Sequence, residues 1–198
     1  MPRIGRLAAV GVGALALAAA LATTAAPRVL SPGFWGPTLK HPAPPPDFAL
    51  RDQRGELIRL SELRGKVVLL TFLYTHCPDL CPLTATNINT AIGTLGAGSK
   101  DVVALAVSVD PRGDTPASVK SFVRTHRLLP QFHYLTGSRA ALTGIWSAYQ
   151  VQAVRHPGED VDHTLYTLLI DRTGKGRVLF DSRAAARTIR HDVRLLLP

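Results

Sequence analysis

Cysteine is nearly absent from this chain: 198 residues carry two, Cys77 and Cys81. So low a count excludes a disulfide-dense scaffold, a four-thiolate zinc site and most iron–sulfur clusters, and leaves room for one disulfide or part of one metal site. Aromatic residues make up 6% and charged residues 19%, against 46% hydrophobic. The apolar share excludes disorder as a description of the whole chain. Internal repeats are lacking, and so is any basic block interleaved with aromatics. The formal charge of +9 therefore reads as a solvated face, suited to anionic head groups or an acidic partner, and not as a nucleic-acid surface. The length suits one domain with something left over for a tail or anchor.

That remainder is N-terminal. Arg3 and Arg6 form a short basic head, and Leu7 to Ala26 then runs 20 residues without a charge. At a helical rise of ~1.5 Å per residue this spans roughly 30 Å, about one hydrocarbon core. Thr24-Ala25-Ala26 has the small residues of a cleavage site. An uncleaved transmembrane anchor and a removed signal peptide over residues 1–26 both fit. Either way the basic head stays in the cytoplasm and the rest of the chain is expected on the extracytoplasmic face. There a cysteine pair can oxidise and free metal ions are a practical concern. No cysteine lies near the end of the run, which excludes a lipid-modified one. Residues 27–46 are rich in Pro and Gly and end in His41-Pro42-Ala43-Pro44-Pro45-Pro46. Consecutive prolines predict a stiff, extended spacer, followed by a domain over 47–198.

Within the domain, Phe48 to Leu50 and Leu57 to Leu60 flank a Gln53-Arg54-Gly55 turn and predict a small hairpin. Ser61 and Glu62 open a short capped turn. Lys66 to Leu73 and Val102 to Val109 are continuous apolar runs, the pattern of strands buried on both faces. Helices are expected from Leu83 to about Leu95, from Thr115-Pro116 to about Arg127, from Ser138 to about Tyr149 and from Ala184 to Leu197. Short strands are expected at Phe132 to Leu135, Leu165 to Ile170 and Val178 to Phe180, the last two joined by a turn over 172–176. Val151 to Asp162 is polar and reads as irregular. A β-α-β crossover requires parallel pairing, and terminal hairpins add antiparallel edges. The layout fits an α/β thioredoxin-like sandwich with an N-terminal β-hairpin. A flavodoxin-like sheet is the alternative, but it lacks closing hairpins.

The chemistry centres on Cys77-Pro78-Asp79-Leu80-Cys81-Pro82, directly after the most apolar strand. Proline is tolerated only in the first turn of a helix, so the two prolines fix a helix start here. Amide N–H groups and the helix dipole then favour thiolate at both cysteines, the form needed for sulfur exchange and for soft-metal ligation. The spacing is C-x-x-x-C, which is neither the C-x-x-C of common redox motifs nor the C-x-x-C-H of haem attachment. A disulfide needs Cβ atoms ~3.5–4.5 Å apart, whereas residues four apart on a helix sit ~5–6 Å apart. A metal bridging two sulfurs tolerates the wider gap, so the spacing leans toward metal without deciding. A third ligand would be a histidine. His41 lies in the spacer, His126 and His133 flank a helix–strand connection, His191 is in the last helix, and His76 adjoins Cys77 but points away from it. His156 and His163 remain, and His163 stands just before a buried strand. On chemistry alone, a lone histidine is more often a satisfied core or surface residue than a ligand.

The segment from Gly65 to Pro82, GKVVLLTFLYTHCPDLCP, closely resembles the Sco/SenC family of copper chaperones for cytochrome c oxidase. Ser108-Val109-Asp110-Pro111 with Asp114-Thr115-Pro116 resembles that family's second motif. Asp162-His163-Thr164, followed by Leu168-Leu169-Ile170-Asp171, resembles its third. The likeness runs in order through nearly all of 47–198. Leu73 and Leu80 depart from the family's frequent glycine and valine, a matter of packing. The resemblance implies a thioredoxin-like fold that binds one copper ion through Cys77, Cys81 and His163. The soft sulfur pair suits Cu(I), and the imidazole helps Cu(II). Asp79 and Asp162, near the site, are expected to orient ligands or meet a partner, with capping and solvation as the plainer reading. Asp110 and Asp114 are read either as a partner-facing loop or as turn and cap residues.

Three functions compete. In the first, a metallochaperone holds copper and passes it by ligand exchange to the copper-bearing subunit of cytochrome c oxidase, working with other copper chaperones or thiol reductases. In the second, a membrane-tethered thiol–disulfide oxidoreductase attacks with Cys77 and resolves with Cys81, the pair forming a disulfide when oxidised. In the third, a peroxidase shares the general fold. It expects Thr or Ser and Arg beside its reactive cysteine, and Pro78 and Asp79 do not fit.

Overall fold

The computed structural model describes residues 33–157 and 161–198. The leader over 1–26, and with it the anchor and signal-peptide readings, lies outside the described residues. No helix among the described residues is long and apolar enough to cross a membrane.

The chain opens with a hairpin of β1 (Ala49–Arg51) and β2 (Leu57–Arg59), closed by Asp52, whose carboxylate accepts the N–H groups of Arg54 and Glu56. A 3₁₀ turn (Leu60–Leu63) leads to β3 (Val67–Leu73), in which all seven residues are buried. Burial of both alternating faces means that both sides of the sheet are covered at this strand. Next come α1 (Leu80–Gly93), a second 3₁₀ stretch (Gly96–Asp101), β4 (Val102–Ser108) and α2 (Pro116–Thr125). The chain continues with β5 (Phe132–Leu135), α3 (Arg139–Ala148), β6 (Ala153–Arg155), β7 (Val161–His163), β8 (Tyr166–Ile170), β9 (Gly176–Asp181) and α4 (Ala186–Arg194). The central sheet has the order β5-β4-β3-β8-β9. β3 pairs in parallel with β4, and β4 with β5, whereas β8 runs antiparallel to both β3 and β9. This is the mixed arrangement that the β-α-β crossover and the closing hairpin dictate. Local caps act where expected: Thr115 Oγ1 accepts from Ser118 N, and Ser138 Oγ accepts from Ala141 N, each 3.2 Å away.

Three expectations change. Helix α1 begins at Leu80 and not Leu83, so Cys81 and Pro82 lie inside its first turn. The stretch 151–162, expected to be irregular, contains a separate two-stranded antiparallel sheet, β6–β7, in register Ala153↔His163 and Arg155↔Val161. Three-residue strands of mixed polarity carry too little alternation to be seen in sequence. The described part of 27–46 does not stand free as a spacer. Leu39 N and Leu179 N pair with Arg177 O and Pro37 O along β9, Gly176 N donates to Ala43 O, and Tyr149 Oη donates to Pro46 O. Backbone groups on the open edge of β9 are thereby satisfied by chain that reads as linker.

Candidate metal centre

The sulfurs owe their position to β3 and α1. β3 delivers the chain into the loop 74–79 at the sheet's C-terminal edge, and α1 restarts it with Asp79 at the cap position, where the Asp79 side chain makes no capping bond. Cys81 is fully buried and Cys77 partly exposed, and both are free thiols. The Cys81 amide donates to Cys77 Sγ at 3.3 Å. The thiols are electrically unequal. Hydrogen bonding from the Cys81 side chain, from the amides of Asp79 and Cys81 and from Tyr74 holds the Cys77 thiol down to about 5, against the opposing pull of burial. The negative Cys77 next to it, together with burial, pushes the Cys81 thiol far up. One thiolate and one thiol share the site.

The imidazole arrives from β7. Nε2 of His163 lies 3.6 Å from Cys81 Sγ, although the two residues are 82 positions apart. Nδ1 lies 3.1 Å from the Thr164 carbonyl oxygen, which only accepts, so Nδ1 carries the proton and Nε2 turns its lone pair toward the sulfur. Burial lowers the pKa of His163 and keeps the ring neutral. Backbone pairing of Thr164 N with Gln152 O and burial of Val161 hold the short sheet in place. Tyr74 stands edge-on to the His163 ring, centroids 5.6 Å apart.

Two soft sulfurs and one imidazole nitrogen form a donor set that fits a copper ion. The three donors are not fully drawn together. Among the described residues, the trio of such donors mutually within 4.8 Å is instead Asp52, Glu56 and His133, at the hairpin turn. That trio already has a cation: Arg54 Nη2 sits 2.8 Å from both Asp52 Oδ2 and His133 Nδ1. The thiol site opens into a shallow surface cleft lined by Tyr74, Cys77, Asp79, Val161, Asp162 and His163.

The four aspartates divide into two pairs. Asp79 and Asp162 are exposed on the cleft rim, and Asp162 pairs with His156 at 2.7 Å. Asp110 and Asp114 are 3% and 5% exposed, so neither faces a partner. Asp114 accepts from Thr75 N (2.8 Å), Ser108 Oγ (2.5 Å) and Tyr134 Oη (2.9 Å), fixing the start of the cysteine loop. Asp110 forms an ion pair with Arg155 and so ties β6, and with it β7, to the loop after β4. Sequence reasoning missed the parts played by Tyr74 and Arg155. Tyr74 carried one signal, a hydroxyl-bearing aromatic directly after a wholly buried strand and three positions before Cys77. Arg155 carried none, because its partner is 45 residues away.

A sequence profile of the SCO1/SenC family matches residues 38–197. The chain belongs to that family. A SCO2-like protein of Rickettsia felis is 31% identical over 172 residues, covering 84% of this Sco/SenC chain and 82% of its own. Among solved structures, copper-bound ScoI of Bradyrhizobium japonicum is 32% identical with a TM-score of 0.70, over 78% of this chain and all of that one. BsSco, a member of the Sco family of cytochrome c oxidase assembly proteins in which a disulfide switch has been identified, is 27% identical with a TM-score of 0.65, over 80% of this chain and 96% of that one. The mixed α/β, thioredoxin-like Sco fold is thereby established for the described residues within 38–197.

Proposed function

We propose that this protein binds one copper ion through Cys77, Cys81 and His163 and delivers it to the copper-bearing subunit of cytochrome c oxidase on the extracytoplasmic face of the membrane. The observation that carries the reading is the approach of His163 Nε2 to Cys81 Sγ at 3.6 Å, with the proton committed to Nδ1. An imidazole aimed at a sulfur by its own backbone hydrogen bond is poised for ligation. The cleft gives an acceptor's thiolates a path to the ion, so ligands exchange one at a time and the metal is never free. The copper-bound and oxidase-assembly relatives support the same assignment. In this reading 7–26 is the membrane tether, and other copper chaperones or thiol reductases load and reduce the site.

One observation favours a second activity. A low-pKa, partly exposed Cys77 beside a buried, protonated Cys81 matches an attacking and a resolving thiol. In that reading His163 is dispensable. Copper stoichiometry of the reduced protein, for wild type and His163→Ala, separates the two. Chaperoning predicts one copper per chain, with weaker binding and an altered copper spectrum in the variant. Indifference to the substitution, together with full disulfide-exchange activity, would leave only the oxidoreductase.

A further inference from the structure

The exposed stripe of α4 has no assigned role. Arg187, Arg190, His191 and Arg194 recur at one-turn intervals along it, while Ile189, Asp192 and Val193 fill the opposite, buried stripe. Arg183 stands just ahead of the helix. Among the described residues these four arginines form no ion pair, and Arg194 meets only the Thr94 carbonyl, at 3.4 Å. Flat against His191, at 3.8 Å and 9°, lies Trp35, which is 61% exposed. The Trp35 and Gly36 amides donate to the two oxygens of buried Asp192, at 2.7 and 2.9 Å. The N-terminal segment is thereby bolted to α4.

We infer that this face, Arg187, Arg190 and Arg194 with Trp35, rests on an anionic lipid surface. The inference builds on the reading of 7–26 as membrane-inserted. Chain length supports it: residues 27–34 are the whole connection between Ala26 and Trp35, and those nine steps reach at most ~32 Å even when fully extended. Trp35 is therefore the point of this face that the tether limits to that distance. Unpaired arginines are attracted to anionic head groups, and tryptophan prefers the head-group layer. The placement also leaves the metal centre open. α4 starts beside α1 at Thr84 and Asn87, which bond to Ser182 O and Ala184 O, and ends beside Thr94 and Gly98. It thus runs away from Cys77, which lies beyond the opposite end of α1. The favoured ligand is the lipid surface, not an acidic protein, because the short connection keeps Trp35 within reach of lipid whatever else is present.

The test reconstitutes the full chain into phosphatidylcholine vesicles with and without phosphatidylglycerol, using lipids brominated near the head group. Trp146, the other tryptophan, is 6% exposed in the core and gives a constant background, and Trp35→Phe attributes the signal. Quenching of Trp35 is expected with phosphatidylglycerol and lost in high salt. The triple variant Arg187→Glu/Arg190→Glu/Arg194→Glu is also expected to lose it, with copper binding unchanged. For chain added from solution, the three arginines account for about 100-fold in affinity for the anionic vesicles, at roughly fivefold each. Equal quenching in both lipids, or none in either, overturns the inference, as does a charge-reversed variant that still docks. Retention of the chain after alkaline carbonate washing reports separately on 7–26. If the chain is washed off, the solution-binding arm still decides the fate of the α4 face.

Discussion

Copper binding to the reduced protein at pH 7 will release about one proton per ion and not two, because only Cys81 has a proton to give. The perturbation is addition of Cu(I), which needs both sulfurs as thiolates. With its thiol held down to about 5, Cys77 is already ionised to roughly 99% two units higher. Cys81, pushed far up by that charge and by burial, is wholly protonated and must lose its proton as the metal enters. His163, with its pKa lowered by burial, contributes a small fraction. Two ordinary thiols would together release nearly two protons at the same pH. At pH 5, where Cys77 is half protonated, the two sulfurs release about 1.5 protons. Titration calorimetry in buffers of different ionisation enthalpy counts the protons directly. A release close to two at pH 7, flat between pH 5 and pH 7, would refute the unequal-thiol account. Cys77→Ser, which loses the dominant interaction lifting Cys81, is expected to bring the Cys81 thiol back toward the ordinary range.

Further expectations follow from the supporting contacts. Arg155→Ala frees the β6–β7 sheet from Asp110 and is expected to weaken copper binding by about 10- to 100-fold, with the copper spectrum moving toward that of His163→Ala. Gly113→Ala is expected to act in the same direction, since a Cβ there would collide with Asp110 Oδ2, and the same copper titration reads it. Asp114→Ala removes the acceptor for Thr75 N–H, Ser108 Oγ–H and Tyr134 Oη–H. It is expected to cost about 3 kcal/mol, seen as a lower urea midpoint of the reduced apo protein. Cys77 also makes apo stability depend on pH. Its folded pKa lies below the unfolded value, so its contribution is fully present above ~8.5 and lost as pH falls through about 5. Denaturation of wild type and Cys77→Ser across that window is expected to show the difference in slope.

The regular elements were legible because each is encoded by its own residues. Seven consecutive buried positions in β3 need only an apolar run, and α2 and α3 begin where Thr115 and Ser138 cap them. The helix start at the cysteines was legible for the same reason, from Pro78 and Pro82. Illegible were the elements whose reason lies elsewhere in the chain. β6 and β7 are three residues each and exist through pairing with one another. The described part of the proline-rich stretch takes its conformation from the free edge of β9.

Sequence by itself determined the two sulfurs, their spacing and the helix that begins between them, because the prolines that stop and start regular structure act through the local backbone. Only the tertiary structure decided what stands opposite. His163 reaches Cys81 across 82 positions of chain, Arg155 reaches Asp110 across 45, and Asp192 gathers Trp35 and Gly36 across more than 150. No periodicity encodes such separations. They follow from how the sheet brings β3, β4 and β8 side by side, and that order is fixed when the apolar faces of the whole chain are buried together.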